Sequence, residues 1–393
     1  MKFLEKRNLR QAGIQMKVSK EHRICTKSVM DTTADPDIMF DDDGVCNYYH
    51  EYQDKAKLRL FNTEKDRSKF DVLIQKIKHA GRGAEYDCVI GVSGGVDSTY
   101  VAYLAKQLGL RPLAVHFDNG WNSELAVKNI EHILDKLKID LVTYVIDWEE
   151  FKSLQLAFLA ASTPDGEVPT DHAIGAVLFR IANEKRIKYI VNGNNFATES
   201  VMPPTWSYGH IDWKYIQTIN RLFGTKKLND YPYITPLRYA HYTFVKGIRI
   251  ISILNYLPYN RDEAMNILQN ELGWKYYGGK HYESIYTRFY QGYILPEKFA
   301  IDKRKAHLST LIFSQQISRE QALKELKQPI YPPELLEEDK IFVIKKLSLT
   351  RESFQKIMDS ASKTYRDYPN QYEFLSFLKK TLNRLRGKGL AYS

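Results

Sequence analysis

Six contiguous residues, Ser93-Gly94-Gly95-Val96-Asp97-Ser98, follow a short apolar run and open a helical pattern. In such a turn Gly94 and Gly95 let the backbone approach a ligand closely or take positive φ. The free N–H groups of the turn and of the helix start converge on one spot, where the helix dipole also favours negative charge. Ser93 and Ser98 add hydroxyl donors, so the turn reads as an anion cradle. Asp97 would repel a phosphate unless a divalent cation lay between them, which points to magnesium. Neither GxxxxGK[ST] nor GxGxxG is present: Gly81 and Gly83 precede the strand, and Tyr86 stands where a third glycine would be needed.

Other candidates fall at similar places. His116-Phe117-Asp118-Asn119-Gly120 ends a second strand pattern, and an acid there can bind ribose hydroxyls or magnesium. Trp121 is read as core rather than as a base platform. Asn122 suits a helix N-cap, which is compatible with a site role. Gly193, Asn194, Asn195 and Glu199 end a further strand. In the loop 163–172, His172 is either a base or a helix-start histidine beside Asp171. The block 275–291 carries Gly278-Gly279 and then a helical pattern, in which His281, Ser284, Arg288 and Gln291 share one face next to Lys280. Arg304 and Lys305 follow. Arg288 would suit a clamp on phosphate or carboxylate, since guanidinium grips such groups bidentately; the competing reading is a solvated polar face.

These residues need a parallel sheet to position them. Strand and helix patterns alternate from residue 86 to about 194: YDCVIGVS, RPLAVHFDNG, DLVTYVID and KYIVNGN read as strands. Alternation of that kind gives an α/β fold with helices on both faces, and ligands bind beyond the carboxyl ends of the strands. The organisation expected is an N-terminal extension over 1–84, an α/β nucleotide domain over 85–235 and a mostly helical domain over 236–393, including the last forty residues. Residues 1–20 read as a loosely held polar extension. Residues 21–50 hold six aspartates, with Pro36 and Gly44, and read as a turn-rich irregular unit. Residues 51–80 read as two helices broken near Asn62–Thr63.

The 393 residues allow two or three domains, with 44% apolar and 26% charged residues, an ordinary globular composition. No apolar run approaches the roughly 20 residues of a membrane span, and the charged start MKFLEKRNLRQ reads as no export signal. Three cysteines build no disulfide scaffold, so a reducing cytoplasm is expected. The net charge of +10 is uneven: residues 1–84 carry +4, 85–235 carry −4 and 236–393 carry +10. A basic C-terminal third suits an anionic partner or a solvated lysine-rich surface.

SGGVDS resembles the pyrophosphate loop of the ATP pyrophosphatases, which cleave ATP between the α and β phosphates and adenylate a carbonyl or amide oxygen. The longer blocks VMDTTADPDIMFDDDGVCN, VHFDNGWNSE, NGNNFATES, YYGGKHYESIYTRFYQGYILPEKF and IDKRKAHLS resemble the N-acetyl sugar amidotransferases of surface-polysaccharide and nonulosonic acid biosynthesis, over about residues 22–330. The resemblance implies a Rossmann-like domain of the adenine nucleotide α-hydrolase (HUP) type. It implies ATP and magnesium as cofactors, held by residues 93–98, His116, Asp118, Asn119, Gly120, Asn122, Gly193 and Asn194. It implies sugar binding by Asp171, His172, Glu199, Lys280, His281, Arg288 and Arg304, with Asp97, Lys280 and Arg288 in the chemistry. The partners implied are a nucleotide-linked N-acetyl sugar and a separate glutaminase supplying ammonia, with no nucleic acid. Relatives carry a CxxC…CxxC zinc knuckle near the aspartates. Here Cys25 and Cys46 remain but Ser28 and Tyr49 stand in the other two places, so zinc is expected to be absent or weakly held with help from His22 or His50. The residues leave two alternatives open: a tRNA-modifying enzyme on the same ATP domain, and a non-catalytic subunit that activates a glutaminase.

Overall fold

The computed structural model of the chain describes residues 16–19, 21–61 and 63–385. The polar extension expected over 1–20 falls almost wholly outside them. Strands β1 (Lys17–Val18) and β2 (Met39–Phe40) pair antiparallel in a small ribbon. The main sheet is built from β3 (Cys88–Gly91), β4 (Pro112–Asp118), β5 (Asp140–Val145), β6 (Tyr189–Asn192) and β7 (Arg249–Ser252), in the order β5-β4-β3-β6-β7. All four pairings are parallel. The chain winds outward from β3 to β5 and then resumes on the other side of β3 at β6. That reversal opens a crevice beyond the carboxyl ends of β3 and β6.

Both faces of the sheet are covered, which is why β3 and β4 read as nearly unbroken apolar runs. Cys88 and Ile90 point into a core shared with the helices Glu64–Ala80, Val96–Gln107, Glu124–Leu137 and Arg261–Leu272. Val89, Leu113, Val115 and Phe117 point into the opposite core, with the helices Trp148–Ala161, Val168–Glu184 and Trp213–Phe223. Burying each such side chain contributes about 1.5–3 kcal/mol. The second core runs on into Phe289, Tyr290, Val343 and Phe354, so the C-terminal helices are packed onto this face.

Three expectations are corrected. The strand–helix alternation does not stop near residue 236: Arg249–Ser252 adds a fifth strand and Arg261–Leu272 packs behind it. Gly247, at φ +69°, ends the preceding helical turn, and the β-branched run Ile248, Ile250 and Ile251 then pairs as a strand. The last forty residues are interrupted rather than one helix: Arg351–Asp359 and Tyr372–Leu385 flank a single 3₁₀ turn at Tyr365–Asp367. The helix expected straight after Gly279 begins only at Ile285, with Ser284 as its N-cap, so His281 (φ +63°) lies outside the face it was assigned to.

The aspartate-rich unit is a set of turns made by its own carboxylates. Asp31 Oδ1 accepts from Thr33 N–H and Ala34 N–H, Asp41 Oδ1 from Val45 N–H, and Asp35 Oδ2 from the Tyr48 hydroxyl at 2.6 Å. Cys25 and Cys46 are buried within it, where Cys46 N–H donates to Cys25 Sγ at 3.2 Å and Ser28 Oγ lies 3.8 Å from Cys46 Sγ. Tyr49 packs on Phe313, and His50 is engaged by Asp41 at 2.8 Å. Among the described residues no third His, Cys, Asp or Glu joins the two thiols in a group able to hold a metal, so this residue set does not fit structural zinc. No helix among the described residues is long and apolar enough to cross a membrane.

The unit is fastened to the C-terminal helices by Arg319, which donates to Ser28 O and Cys25 O, and by Lys305, which lies 2.5 Å from Asp31 Oδ2. Burial pulls the Asp31 pKa upward, but Lys305, Thr33 and the Ala34 N–H outweigh it and hold the carboxyl below its usual value. That stabilisation is present above about pH 4, the unfolded carboxyl's value, and is lost as pH falls through the lower folded value. Lys305→Met should therefore cost about 1.5–3 kcal/mol at neutral pH and flatten the loss of stability below pH 4. Denaturant melts across pH check this; an unchanged acid slope would contradict it.

Candidate active site

The turn 93–98 sits where β3 ends and the helix Val96–Gln107 begins. Gly94 takes φ +81°, and a Cβ there would stand 2.8 Å from the Ala126 carbonyl, so both conformation and space demand glycine. Ser98 Oγ accepts from Ser93 N–H, lies 3.1 Å from Ser93 Oγ and donates to Gly95 O. Gly95 is the N-cap and brings no side chain, which leaves the first helical amides for a ligand. Ser93 is exposed while Gly94, Gly95 and Val96 are buried, so the cradle opens to solvent. At the end of β6, a Cβ on Gly193 would lie 2.9 Å from Asp97 C and Ser98 N, so this close approach needs glycine too. Asn194 beside it is exposed.

Asp97 accepts from the Tyr259 hydroxyl. Burial first, and Glu199 second, raise its pKa to about 6 against the pull of Lys280. Lys280 Nζ lies 3.4 Å from Glu199 Oε1 and 3.3 Å from His307 Nδ1. Burial, reinforced by Lys280, pushes His307 well below the ordinary histidine range, so it is a neutral neighbour.

The residues after β4 divide into ligand-facing and bracing groups. His116 is buried with Nδ1–H on Val92 O and Nε2 accepting from Asn122 Nδ2, an assignment that satisfies both nitrogens; it braces Asn122 rather than presenting itself to a nucleotide. Asn119 is buried and donates to Thr170 Oγ1. Asp118 Oδ1 accepts from Gly120 N–H. Trp121 is fully buried, donates to Gln155 Oε1 at 2.7 Å, and is core as expected. Lys346 Nζ rests 5.0 Å from its ring and donates to Gly120 O.

The C-terminal segment then joins the cradle. Ser123 N–H donates to Glu283 O at 2.9 Å and Ile285 N–H to Trp121 O at 2.9 Å, pairing Asn122 with Ser284. This places Glu283, which the sequence reading passed over, against the turn: a Cβ on Gly95 would stand 3.2 Å from Glu283 Oε1. Glu283 Oε2 is buried and makes no hydrogen bond. Burial pulls its pKa up, but His281, 3.6 Å away, and Lys280 outweigh it and keep the group ionised. An ionised carboxylate with an unpaired oxygen beside a phosphate cradle fits a cation. Among the described residues no three His, Cys, Asp or Glu side chains converge to hold a metal, so Asp97 and Glu283 are the groups that would hold magnesium together with the ligand's own phosphates.

A second cluster lies across the 118–122 loop, where Thr170 meets Asn119. His210 Nε2 is 2.9 Å from Asp165 Oδ2 and 3.5 Å from Asp171 Oδ2. Gln291 donates to Glu167 at 2.7 Å, and Lys303 Nζ lies 3.7 Å from the same carboxylate. Gln291 reaches it from the π-helical turn Tyr290–Ile294. Burial lowers the His210 pKa, yet Asp165 and Asp171 overcome it and raise it to about 9, making an imidazolium at neutral pH. Burial raises Asp171 to about 6 despite His210. His172, one residue on, is excluded from this cluster. It is buried, burial lowers its pKa to about 4, its Nδ1–H donates to His210 O and its Nε2 accepts from Ile234 N–H. It packs nearly parallel to both Trp213 and Tyr231, which are also in contact with each other, as a neutral core residue that positions His210.

Two expected substrate clamps are corrected. Arg288 is bound bidentately to Asp339, at 2.6 and 2.7 Å, and is largely buried; its fork is already satisfied. Arg304 is held by Asp302 and donates to Gln328 O at 2.9 Å, closing off the end of the helix Arg319–Leu326. The cation that faces the cluster is Lys303. Three residues here stand outside the candidates that the sequence offers: His210 has a local signal in GHID, where glycine precedes a histidine just before a helix start, whereas Glu283 and Lys303 sit in blocks whose arginines carry the stronger anion-binding signal.

A parallel sheet of this order, with a glycine-rich turn after β3, is an α/β fold of HUP type and carries a domain like those of the PP-loop ATP pyrophosphatases and NAD synthetases. Residues 67–228 match the family model described as NAD synthase, and residues 283–382 that of the LPS biosynthesis protein WbpG-like, C-terminal domain. That pair of matches supports an N-acetyl sugar amidotransferase-like member of the PP-loop superfamily. An uncharacterized protein of Methanocaldococcus jannaschii is 23% identical over 288 residues, covering 70% of this chain and 84% of the relative. A tRNA(Ile)-lysidine synthase of Chlamydia pneumoniae is 36% identical over 64 residues, 16% of this chain and 20% of that protein. Among solved structures, the NH3-dependent NAD synthetase of Campylobacter jejuni is 15% identical with a TM-score of 0.29, covering 67% of this chain and 97% of that one. The NMN synthetase of Francisella tularensis is 16% identical with a TM-score of 0.26, covering 52% and 93%.

The Arg288–Asp339 pair sets a stability test. Arg288→Ala leaves the buried Asp339 carboxylate without its counter-charge, held by the Tyr331 hydroxyl alone, and should cost about 3–5 kcal/mol, of which Arg288→Met with Asp339→Leu should recover much. Urea melts read this directly. A variant as stable as the parent, but with a raised substrate KM, would restore Arg288 as a clamp.

Proposed function

We propose that this chain is an ATP-dependent amidotransferase that converts the acetamido group of a nucleotide-linked N-acetyl sugar to an acetamidino group. ATP adenylates the amide oxygen with release of pyrophosphate, and ammonia displaces AMP. The product would serve lipopolysaccharide O-antigen, capsule or flagellin-glycan synthesis, including pseudaminic acid, in the cytoplasm. The observation that carries the reading is the pairing of residues 283–285 with 121–123. It makes one site of the phosphate cradle and the segment where the WbpG-like match begins.

The residues divide the work by their chemistry. The turn amides with Ser93 and Ser98 bind phosphate oxygens, and Gly94, Gly95 and Gly193 allow the close approach. Magnesium, when bound at Asp97 and Glu283, neutralises the phosphates. Lys280, at the edge of this cradle, stabilises negative charge that develops during transfer. Asn122 and Asp118 line the nucleotide side. The side-chain cluster of Asp165, Glu167, Asp171, His210 and Lys303 offers donors and acceptors to the sugar.

Ammonia would come from a separate glutaminase. Cys88 is fully buried in β3, where burial pushes its thiol far up, and Cys25 and Cys46 are buried in the aspartate-rich unit. Each is poorly placed as a glutaminase nucleophile. A tRNA substrate is the competing reading, favoured by the basic C-terminal third; the sulfur relay some such enzymes use has no exposed cysteine pair to run on among the described residues.

The test is an incubation with ATP, magnesium and ammonium chloride, against a panel of UDP- and CMP-linked N-acetyl sugars and against bulk tRNA. Pyrophosphate and AMP should form with a sugar and be accompanied by its amidine. Asp97→Asn should reduce that turnover at least a hundredfold, on the order of the loss of one transition-state contact, with the melting temperature retained. Pyrophosphate release dependent on tRNA, or on glutamine alone, would overturn the reading.

A further inference from the structure

The helix Pro333–Lys346 ends against the loop after β4. Lys346, its last helical residue, donates from Nζ to Gly120 O, a contact between residues 226 positions apart. Its ammonium stands 5.0 Å from the Trp121 ring, 5.1 Å from Trp148 and 5.3 Å from Phe342. Trp121 belongs to the 118–122 loop, Trp148 opens the helix Trp148–Ala161, and Phe342 lies one turn back on the lysine's own helix. Three elements thus give the cation a wall of aromatic faces, which replaces part of the water it gives up. A lysine in the last turn of a helix is commonly explained by the carbonyls of that same helix. Lys346 instead gives its donor to the loop, where Asp118 is the carboxylate whose charge it feels.

The contact passes through one residue to that carboxylate. Gly120 takes φ +78°, and a Cβ there would stand 3.4 Å from Trp148 and 3.6 Å from Lys346 Nζ. Both of its backbone groups are engaged: its N–H donates to Asp118 Oδ1 at 2.8 Å, and its carbonyl accepts from Lys346. Asp118 Oδ1 lies 3.5 Å from Asn122 Nδ2 as well. Among the described residues, no hydrogen bond reaches Asp118 Oδ2, and the side chain is partly exposed at the carboxyl end of β4. One oxygen is fixed by the loop and the other is left for a hydroxyl donor.

We propose that Lys346 is a positioning residue for the ribose of ATP: it fixes Gly120, Gly120 fixes Asp118, and Asp118 accepts a ribose hydroxyl. The proposal rests on the ATP site of the function proposed above and on none of its sugar chemistry. A left-handed glycine bonded on both sides keeps one orientation. Without the ammonium its carbonyl can turn to water, and the carboxylate loses its fixed aim. The segment that matches the WbpG-like domain then grips the nucleotide loop at a second point, beyond the bridge at 283–285.

Calorimetry on the full chain with magnesium, and without sugar, tests this with ATP, 2′-deoxy-ATP and 3′-deoxy-ATP. The parent should bind ATP at least about tenfold more tightly than one of the deoxy nucleotides, the scale of a hydrogen bond to a charged group. Lys346→Met should weaken ATP about fivefold or more and leave that deoxy nucleotide within about twofold, with the melting temperature retained. Lys346→Arg should keep most of the preference. Asp118→Asn should abolish it, and adding Lys346→Met to Asp118→Asn should cost ATP affinity less than about twofold, because the two act in one chain. Lys346→Gln takes the place of the methionine variant if that does not fold. Equal losses for all three nucleotides would make Lys346 a structural staple and overturn the proposal, as would an unchanged preference. A parent that binds ATP but does not distinguish the three overturns this inference and leaves the amidotransferase reading standing. A parent that binds no ATP overturns that reading, and this inference with it.

Discussion

Two backbone hydrogen bonds hold the functional part of this molecule together: Ser123 N–H to Glu283 O and Ile285 N–H to Trp121 O. They are an isolated bridge, worth little by themselves. Their consequence lies in what they align. On one side runs the loop after β4, which belongs to the parallel sheet. On the other begins the C-terminal helical segment, whose Phe289, Tyr290 and Ile294 are buried in the same core as Phe117 and Trp121. The apolar packing fixes the segment, and the bridge sets its register against the cradle. A slip of one residue would turn Glu283 away from Gly95 and Tyr286 out of the wall it shares with Gln155.

The charges of the cradle follow from that alignment. Asp97 feels the charge of Glu199 at the end of β6, and Glu283 is brought against Gly95 from the C-terminal segment. Burial raises the Asp97 pKa, and Lys280, linked to Glu199, offsets part of the repulsion. Such an arrangement is costly in the free protein and becomes favourable when a divalent cation and phosphates enter together. The cluster at His210 repeats the pattern with a different solution: there the counter-charge is an imidazolium that Asp165 and Asp171 themselves maintain.

What was legible in the sequence was local. SGGVDS can be read because its six residues are contiguous and do their chemistry through the backbone. The strands at 88, 112 and 189 can be read because burial on both faces writes an unbroken apolar run, and the largely exposed edge strand at 140 because it is rich in β-branched and aromatic residues. The fifth strand was hidden, because Arg249–Ser252 is short and set among residues with helical spacing. Arg288 misled for a different reason. Its composition and spacing are those of a clamp, but its partner Asp339 lies 51 residues away, and no periodicity reveals which ion pairs with which. His172 and Asp171 are adjacent candidates, and only the stacking on Trp213 and Tyr231 shows that the histidine is core, while Asp171 stands half exposed beside His210. Glu283 was invisible as a site residue because its role exists only through the bridge to Asn122.

The central claim is that the C-terminal segment completes the nucleotide site. The most direct measurement is the calorimetric affinity for α,β-methylene ATP with magnesium, in the parent chain and in Glu283→Gln. The account predicts at least a tenfold loss of affinity in the variant, roughly the worth of a charged contact, and a smaller difference when magnesium is withheld. Equal affinity for the magnesium complex in both proteins would contradict it.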